Sequence, residues 1–143
     1  MIVALAIALL VQNAASPIST VGMTERTGSV QIPDEIAPAV LPYAMCLNDR
    51  SNAATRTIMA RDGVSGLDGP QVRESNKIAF SDCKAARDTA VIKARKALDS
   101  RRIGDAAARS KTIEDTLTGF EASYIAAADK LDEFNKAHRA PGK

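Results

Sequence analysis

The positions of two cysteines constrain this chain more than any other feature. Cys46 and Cys83 are its only cysteines, and a disulfide requires their Cα atoms to lie about 4.4–6.8 Å apart. If two antiparallel helices carry them, the connecting turn should lie midway, near Val64 and Ser65. Residues 61–70 read RDGVSGLDGP, and glycine, aspartate and proline are typical of turns. The cysteine and glycine positions therefore predict one helical hairpin closed by a disulfide.

Residues 72–98 are predicted to form a central helix. Apolar residues recur there at spacings of three and four, which place them on one face of a helix. Small side chains let a neighbouring helix approach closely, so Cys83 should be within reach of Cys46. The small row is Ala79, Cys83, Ala86, Ala90, Ala94 and Ala97, and a larger row of Phe80, Val91, Ala94 and Leu98 is interrupted by Arg87.

Two further helices are predicted on either side of the central one. The first should begin at Pro38 or Pro42, because proline disrupts a helix interior, and end before Gly63. The third should begin after Asp105, or alternatively at Thr112, and a fold-back near Gly104 sets Arg87 opposite Glu121. The inward rows are Val40, Tyr43, Leu47, Ala54 and Ile58 in the first helix, and Ile113, Leu117, Phe120, Tyr124, Ala127, Leu131, Phe134 and His138 in the third. The predicted fold is all-α, a three-helix antiparallel bundle, with residues 33–140 forming a single helical domain.

The N-terminal residues predict export. Residues 2–11 are an unbroken apolar run, and the small residues Ala14, Ala15 and Ser16 follow shortly after it, a pattern typical of a secretory signal peptide over residues 1–15. The run is too short to span a bilayer, which takes roughly 20 residues. No Lys or Arg precedes it, and a buried N-terminal helix is the alternative. We predict a flexible lead over residues 16–32 and a periplasmic or extracellular location, where a disulfide is stable.

Charge is distributed unevenly along the second half of the chain. Residues 84–111 contain nine bases and three acids, whereas residues 112–135 contain six acids and one base. One interpretation is that the two segments are neighbouring helices that offset each other's charge. The alternative is that the first segment forms a basic stripe that faces anionic lipid, glycan or an acidic partner. The stripe would consist of Lys84, Arg87, Lys93, Arg95, Lys96, Arg101 and Arg102.

The residues offer little for catalysis or metal binding. The single histidine, His138, continues an apolar row, and zinc sites need His/Cys clusters that the sequence lacks. Nucleic-acid binding would require aromatic residues among the bases or a known module. We therefore predict no catalytic residue, no metal and no cofactor. The predicted function is that of a small exported binding, adaptor or inhibitor-like protein. The first alternative is an envelope-associated protein that binds anionic lipid or glycan. The second alternative is an enzyme of unknown type.

A last expectation concerns self-association. The predicted register leaves Ala94, Ala97 and Leu98 beyond the reach of the first helix, and an exposed apolar strip favours burial against another chain. The partner would be a second copy in a twofold dimer or another protein. The alternative is that Ile36 and Val40, or the lead, fold over this end of the bundle.

Overall fold

A computed structural model describes residues 30–138 of the 143-residue chain. Within that range every regular element is an α-helix: α1 Ala37–Asp62, α2 Gly69–Asp82, α3 Lys84–Ser100 and α4 Ala106–His138. Helices α2 and α3 form the centre, and α1 and α4 each pack against both of them. The all-helical prediction is confirmed.

The turn after α1 has the local chemistry expected from its sequence. Gly63 ends α1 in the left-handed conformation, with φ 66°, and its N–H donates to the carbonyl of Met59. Asp68 then caps α2 because its carboxylate accepts from the Gln71 N–H, while the Gln71 side chain accepts from the Asp68 N–H. This reciprocal pair satisfies two backbone donors that the helix itself leaves free.

The predicted disulfide is present between α1 and the junction of α2 and α3. The sulfur atoms of Cys46 and Cys83 lie 2.00 Å apart, and the two Cα atoms are separated by 5.9 Å. A cross-link that closes a loop of 37 residues stabilises a fold by roughly 4 kcal/mol in the chain-entropy account. The hairpin that the cysteine positions predicted is therefore confirmed.

The central helix differs from the prediction of one element over residues 72–98. It is divided at Cys83, whose φ of −93° and ψ of 7° lie outside the helical region. The interruption is one residue long, since Cys83 still donates to the Ala79 carbonyl and accepts from the Arg87 N–H. The spacing of apolar residues cannot reveal this break, because the apolar rows of α2 and α3 lie on the same face before and after Cys83. The described chain therefore has four helices, where three were predicted.

The second fold-back lies where the sequence placed it. Gly104 adopts φ 65°, and the Asp105 carboxylate accepts from the Ala108 N–H at 2.8 Å, so α4 is capped by Asp105 and not by Thr112. The Arg87 Nε donates to Glu121 Oε1 at 2.8 Å. This ion pair confirms the predicted register between α3 and α4.

The apolar strip predicted for self-association is not exposed. Ala94 and Leu98 are buried in the same cluster as Ile36 and Val40, and Ala97 is half-buried. The chain before α1 folds over this end of the bundle and covers the strip, which was the alternative. The prediction of an exposed strip is therefore wrong, and self-association stays a prediction without that structural basis.

The last residues of the predicted flexible lead differ from the prediction. Val30 and Ile32, placed in the flexible lead over residues 16–32, pack against the core. The predicted signal peptide over residues 1–15, the rest of the lead and the chain end after His138 lie outside the described residues.

The inward row of α4 is buried over only part of its length. Ile113, Leu117 and Phe120 are buried, whereas Phe134 is 57% exposed and stacks on the exposed His138. The cause is the length of the neighbouring helix: α2 begins at Gly69, where an added Cβ would overlap the carboxylate of Asp132. The turns of α4 after Asp132 therefore extend past the helix against which the row packs.

Candidate binding groove

A groove opens between α1 and α4 in the half of the molecule near the Gly63 turn. In the other half the two helices meet, where the Tyr43 ring lies 6.5 Å from that of Phe120. The groove has a volume of about 550 Å³, with α1 and α4 as its walls, α2 as its floor and the loop after α1 closing one end. Its lining residues are Asn48, Ser51, Asn52, Thr55, Met59, Ser65, Gly66, Leu67, Val72, Ser75, Asn76, Ser123, Tyr124, Ala127, Lys130 and Leu131.

The floor of the groove is polar although it is buried. Ser75 and Asn76 are only 1% and 4% exposed. The Ser75 hydroxyl donates to the Ser51 carbonyl at 3.0 Å, and the Asn76 amide donates to the Tyr124 carbonyl at 2.9 Å. Burying such groups costs free energy unless they are hydrogen-bonded, and here each one ties the floor to a wall. The two bonds hold α1 and α4 at a defined separation across α2.

The α1 wall presents neutral polar groups along one face. Asn48, Ser51, Asn52 and Thr55 follow each other at helical spacing, and all four line the groove. The Asn52 amide donates to the Asn48 side-chain oxygen at 3.4 Å, a long and weak bond. Amides and hydroxyls both donate and accept hydrogen bonds, so this wall matches a ligand that carries both kinds of group.

Tyr124 on the opposite wall carries a polar atom that lacks a protein partner. Its ring packs edge-on against Phe80, with centroids 6.3 Å apart, and its hydroxyl is buried without a hydrogen bond in the described part of the chain. Burial, helped by the negative charge of Asp49, raises the pKa of Tyr124 to about 12. The phenol is therefore neutral at pH 7 and able to donate a hydrogen bond.

The lining of the groove differs in polarity from one end to the other. One end is apolar, formed by Met59, Leu67, Val72, Ala127 and Leu131, and Lys130 is the one charged residue of the lining. The lining contains no histidine, cysteine or carboxylate that could act as a general base or nucleophile. Among residues 30–138 no group of three or more His, Cys, Asp or Glu side chains is arranged to hold a metal ion. The groove thus combines a neutral polar half, an apolar end and one cation.

A hydrogen-bonded network closes the other half of the α1–α4 seam. The Tyr43 hydroxyl donates to Glu121 Oε1 at 2.6 Å, and the same oxygen accepts from Arg87 Nε at 2.8 Å. Arg87 also donates to Glu114 at 2.7 Å. Burial, together with the hydrogen bond to Glu121, raises the pKa of the Tyr43 phenol well above its ordinary value. The network joins α1, α3 and α4, and it defines where the groove begins.

The residues of the predicted basic stripe do not form one line. Successive helix residues turn by about 100°, so Arg87 and Lys93 lie about 120° apart around α3. Arg87 pairs with Glu114 and Glu121 of α4, Arg95 donates to Ser110, and Lys84 pairs with Asp88. The remaining members are exposed and form no ion pair in the described range, namely Lys93, Arg95, Lys96, Arg101 and Arg102.

The groove was not predicted from the sequence, although two sequence signals for it are present. Ser75 and Asn76 precede Ala79 at spacings of four and three, so they continue the buried small row as polar residues. Asn48, Ser51, Asn52 and Thr55 also form a polar row beside the apolar one. Both signals indicate a polar helix face next to the core, but neither shows that the two faces lie across from each other.

No protein-family model matches this chain, and no curated protein or solved structure matches it. Among residues 30–138, none of the helices has the length and hydropathy required to cross a membrane.

Proposed function

We propose that this chain is a small exported binding protein that recognises its partner through the groove between α1 and α4. The observation that carries the proposal is the buried polar floor. Ser75 and Asn76 are almost fully buried, and each is hydrogen-bonded so that it holds the groove open. A floor that served packing alone would be stabilised more by apolar residues, so its polar character supports a role in recognition.

Export rests on a separate pair of observations. The apolar run at residues 2–11 resembles a signal peptide, and the Cys46–Cys83 disulfide is consistent with an oxidising compartment, where disulfides persist. The binding role and a periplasmic or extracellular location are therefore proposed together, as an adaptor or an inhibitor-like protein.

The proposal is tested by placing a photo-cross-linking amino acid in the groove in the native host. Asn52 is an exposed position in the α1 wall, and Thr57 is an exposed control about 140° away on the same helix. We expect a discrete adduct from position 52 and none from position 57. The captured protein, once purified, should bind the wild type and Thr57→Arg equally but lose affinity for Asn52→Arg. Equal adducts from both positions, or full affinity of Asn52→Arg, would contradict the proposal.

A second candidate function is favoured by the outer surface of α3. Ile92 is 70% exposed and stands beside Lys93 and Lys96, and an apolar side chain among lysines suits an anionic membrane surface. Sedimentation with anionic vesicles at low salt, lost at high salt because of screening, would support this function. The Lys93→Glu, Lys96→Glu double variant should then stay in the supernatant. Equal sedimentation with zwitterionic vesicles would argue against it.

A further inference from the structure

The chain before α1 already lies along the same α1–α4 seam as the groove. An added Cβ on Gly119 of α4 would lie 3.2 Å from Val30 Cγ1, so the Val30 side chain rests on that glycine. The disulfide and the Arg87–Glu121 pair set the registers of the helices and place Ile36 near the level of Asp115. Going back from Ile36 to Val30, the chain therefore runs along α4 towards its C-terminus, by about 6 Å for four helical residues.

One face of α4 leads from Val30 into the groove. Gly119, Ser123 and Lys130 follow each other at spacings of four and seven, which places them in one row along the helix. Val30 covers the first member of this row, and the other two line the groove. The groove is thus the continuation of a seam whose first part is filled by the chain itself.

We propose that the groove is the docking site of residues 24–29 of this same chain. The segment reads TERTGS, and its hydroxyl and backbone groups match the amides and hydroxyls of the α1 wall. The proposal rests on the proposed function, since a partner that binds the groove would have to displace this segment. It makes the residues before Val30 an intramolecular competitor for the site.

The spacing along the groove brings one acidic residue to its one cation. Lys130 lies eleven residues beyond Gly119, or about 16 Å along the helix. An extended chain covers about 3.3 Å per residue, so five residues before Val30 span that distance and bring Glu25 to the level of Lys130. The lining has no carboxylate of its own, and Glu25 is the one acidic residue between Ser16 and Val30.

The test is a zero-length carbodiimide cross-link on the purified chain with residues 16–29 intact. Carbodiimide joins a carboxylate to an amine in direct contact, and peptide mapping identifies the pair. In the monomer fraction we expect Glu25 to link to Lys130 several-fold more than to Lys111 or Lys136 of the same helix. The link should disappear in Glu25→Gln and persist in the matched control Glu35→Gln. It should also disappear in Glu25→Lys and reappear in the Glu25→Lys, Lys130→Glu double variant.

Several outcomes would overturn the inference. Linkage of Glu25 to Lys130 no greater than to Lys111 and Lys136 would show that the segment does not dock in the groove. A link found only in dimers would assign the groove to a second copy. The proposed function is judged independently by the cross-linking at position 52. If both ideas hold, Glu25→Lys should raise the affinity for the partner captured there several-fold, whereas Glu35→Lys should not.

Discussion

Arg87 shows at the residue scale how a charge is accommodated in an apolar row. In the sequence it interrupts the larger row of the central helix, and in the structure it sits at the edge of the core with its guanidinium directed to α4. Its two partners differ in exposure, since the Glu121 side chain is 25% exposed and that of Glu114 is 59% exposed. Glu121 also accepts the hydroxyl of the buried Tyr43. One carboxylate oxygen of Glu121 therefore joins α1 and α3 to α4.

We expect Glu121→Gln to lower the free energy of unfolding by about 1–3 kcal/mol, because a charge-assisted network loses its charge. Glu114→Gln is the matched control: it removes the same group from the same arginine at an exposed site, where the effect should be below about 0.5 kcal/mol. Urea denaturation of both variants, and of Tyr43→Phe alone and combined with Glu121→Gln, measures the effect. A coupling energy between Tyr43 and Glu121 of about zero would show that the network is not cooperative.

At the scale of elements, α4 is one helix with two environments. Its first half buries Ile113, Leu117 and Phe120 between the other helices, and its last turns extend past the start of α2 with Phe134 exposed. Both halves carry the same apolar spacing. Whether a position of the row is buried thus depends on the length of the neighbouring helix.

Leu117→Ala should destabilise the fold by roughly 2–5 kcal/mol, since it removes a fully buried side chain and leaves a cavity. Phe134→Ala, at a position of the same row, should change the free energy of unfolding by less than about 0.5 kcal/mol. Chemical denaturation of the two variants provides the comparison. A large loss from Phe134→Ala would mean that the end of α4 is covered in solution, and a small loss from Leu117→Ala would contradict the assigned core.

At the scale of the whole molecule, the disulfide and the groove belong to the same half of the fold. Cys46 of α1 is joined to Cys83 at the end of α2, and the groove walls begin two residues further along α1 at Asn48. The cross-link therefore fixes α1 against the centre beside the groove, and the hydrogen bond from the Ser75 hydroxyl to the Ser51 carbonyl holds α1 further along.

If the protein is exported, its N-terminal residues should be removed. In its native host the protein should be found with a mature N-terminus near Ser16, because the apolar run at residues 2–11 is followed by small residues there. Mass spectrometry of the intact protein from separated cell fractions measures this. Detection of a chain with Met1 intact in the cytosolic fraction would contradict export and leave the disulfide without its expected compartment.

The sequence by itself determined the features that depend on local chemistry and on position along the chain. The hairpin, its turn and the disulfide followed from two cysteines and the glycines midway between them. For the start of α4 the sequence left Asp105 and Thr112 as alternatives, and the cap is Asp105. Tertiary structure alone decided the rest. The break at Cys83 leaves the apolar rows unchanged, the cover over Ala94 and Leu98 depends on how the chain before α1 folds back, and the groove depends on how far α1 and α4 separate. The cover and the groove arise between segments distant in sequence, and no local pattern encodes the distance between them.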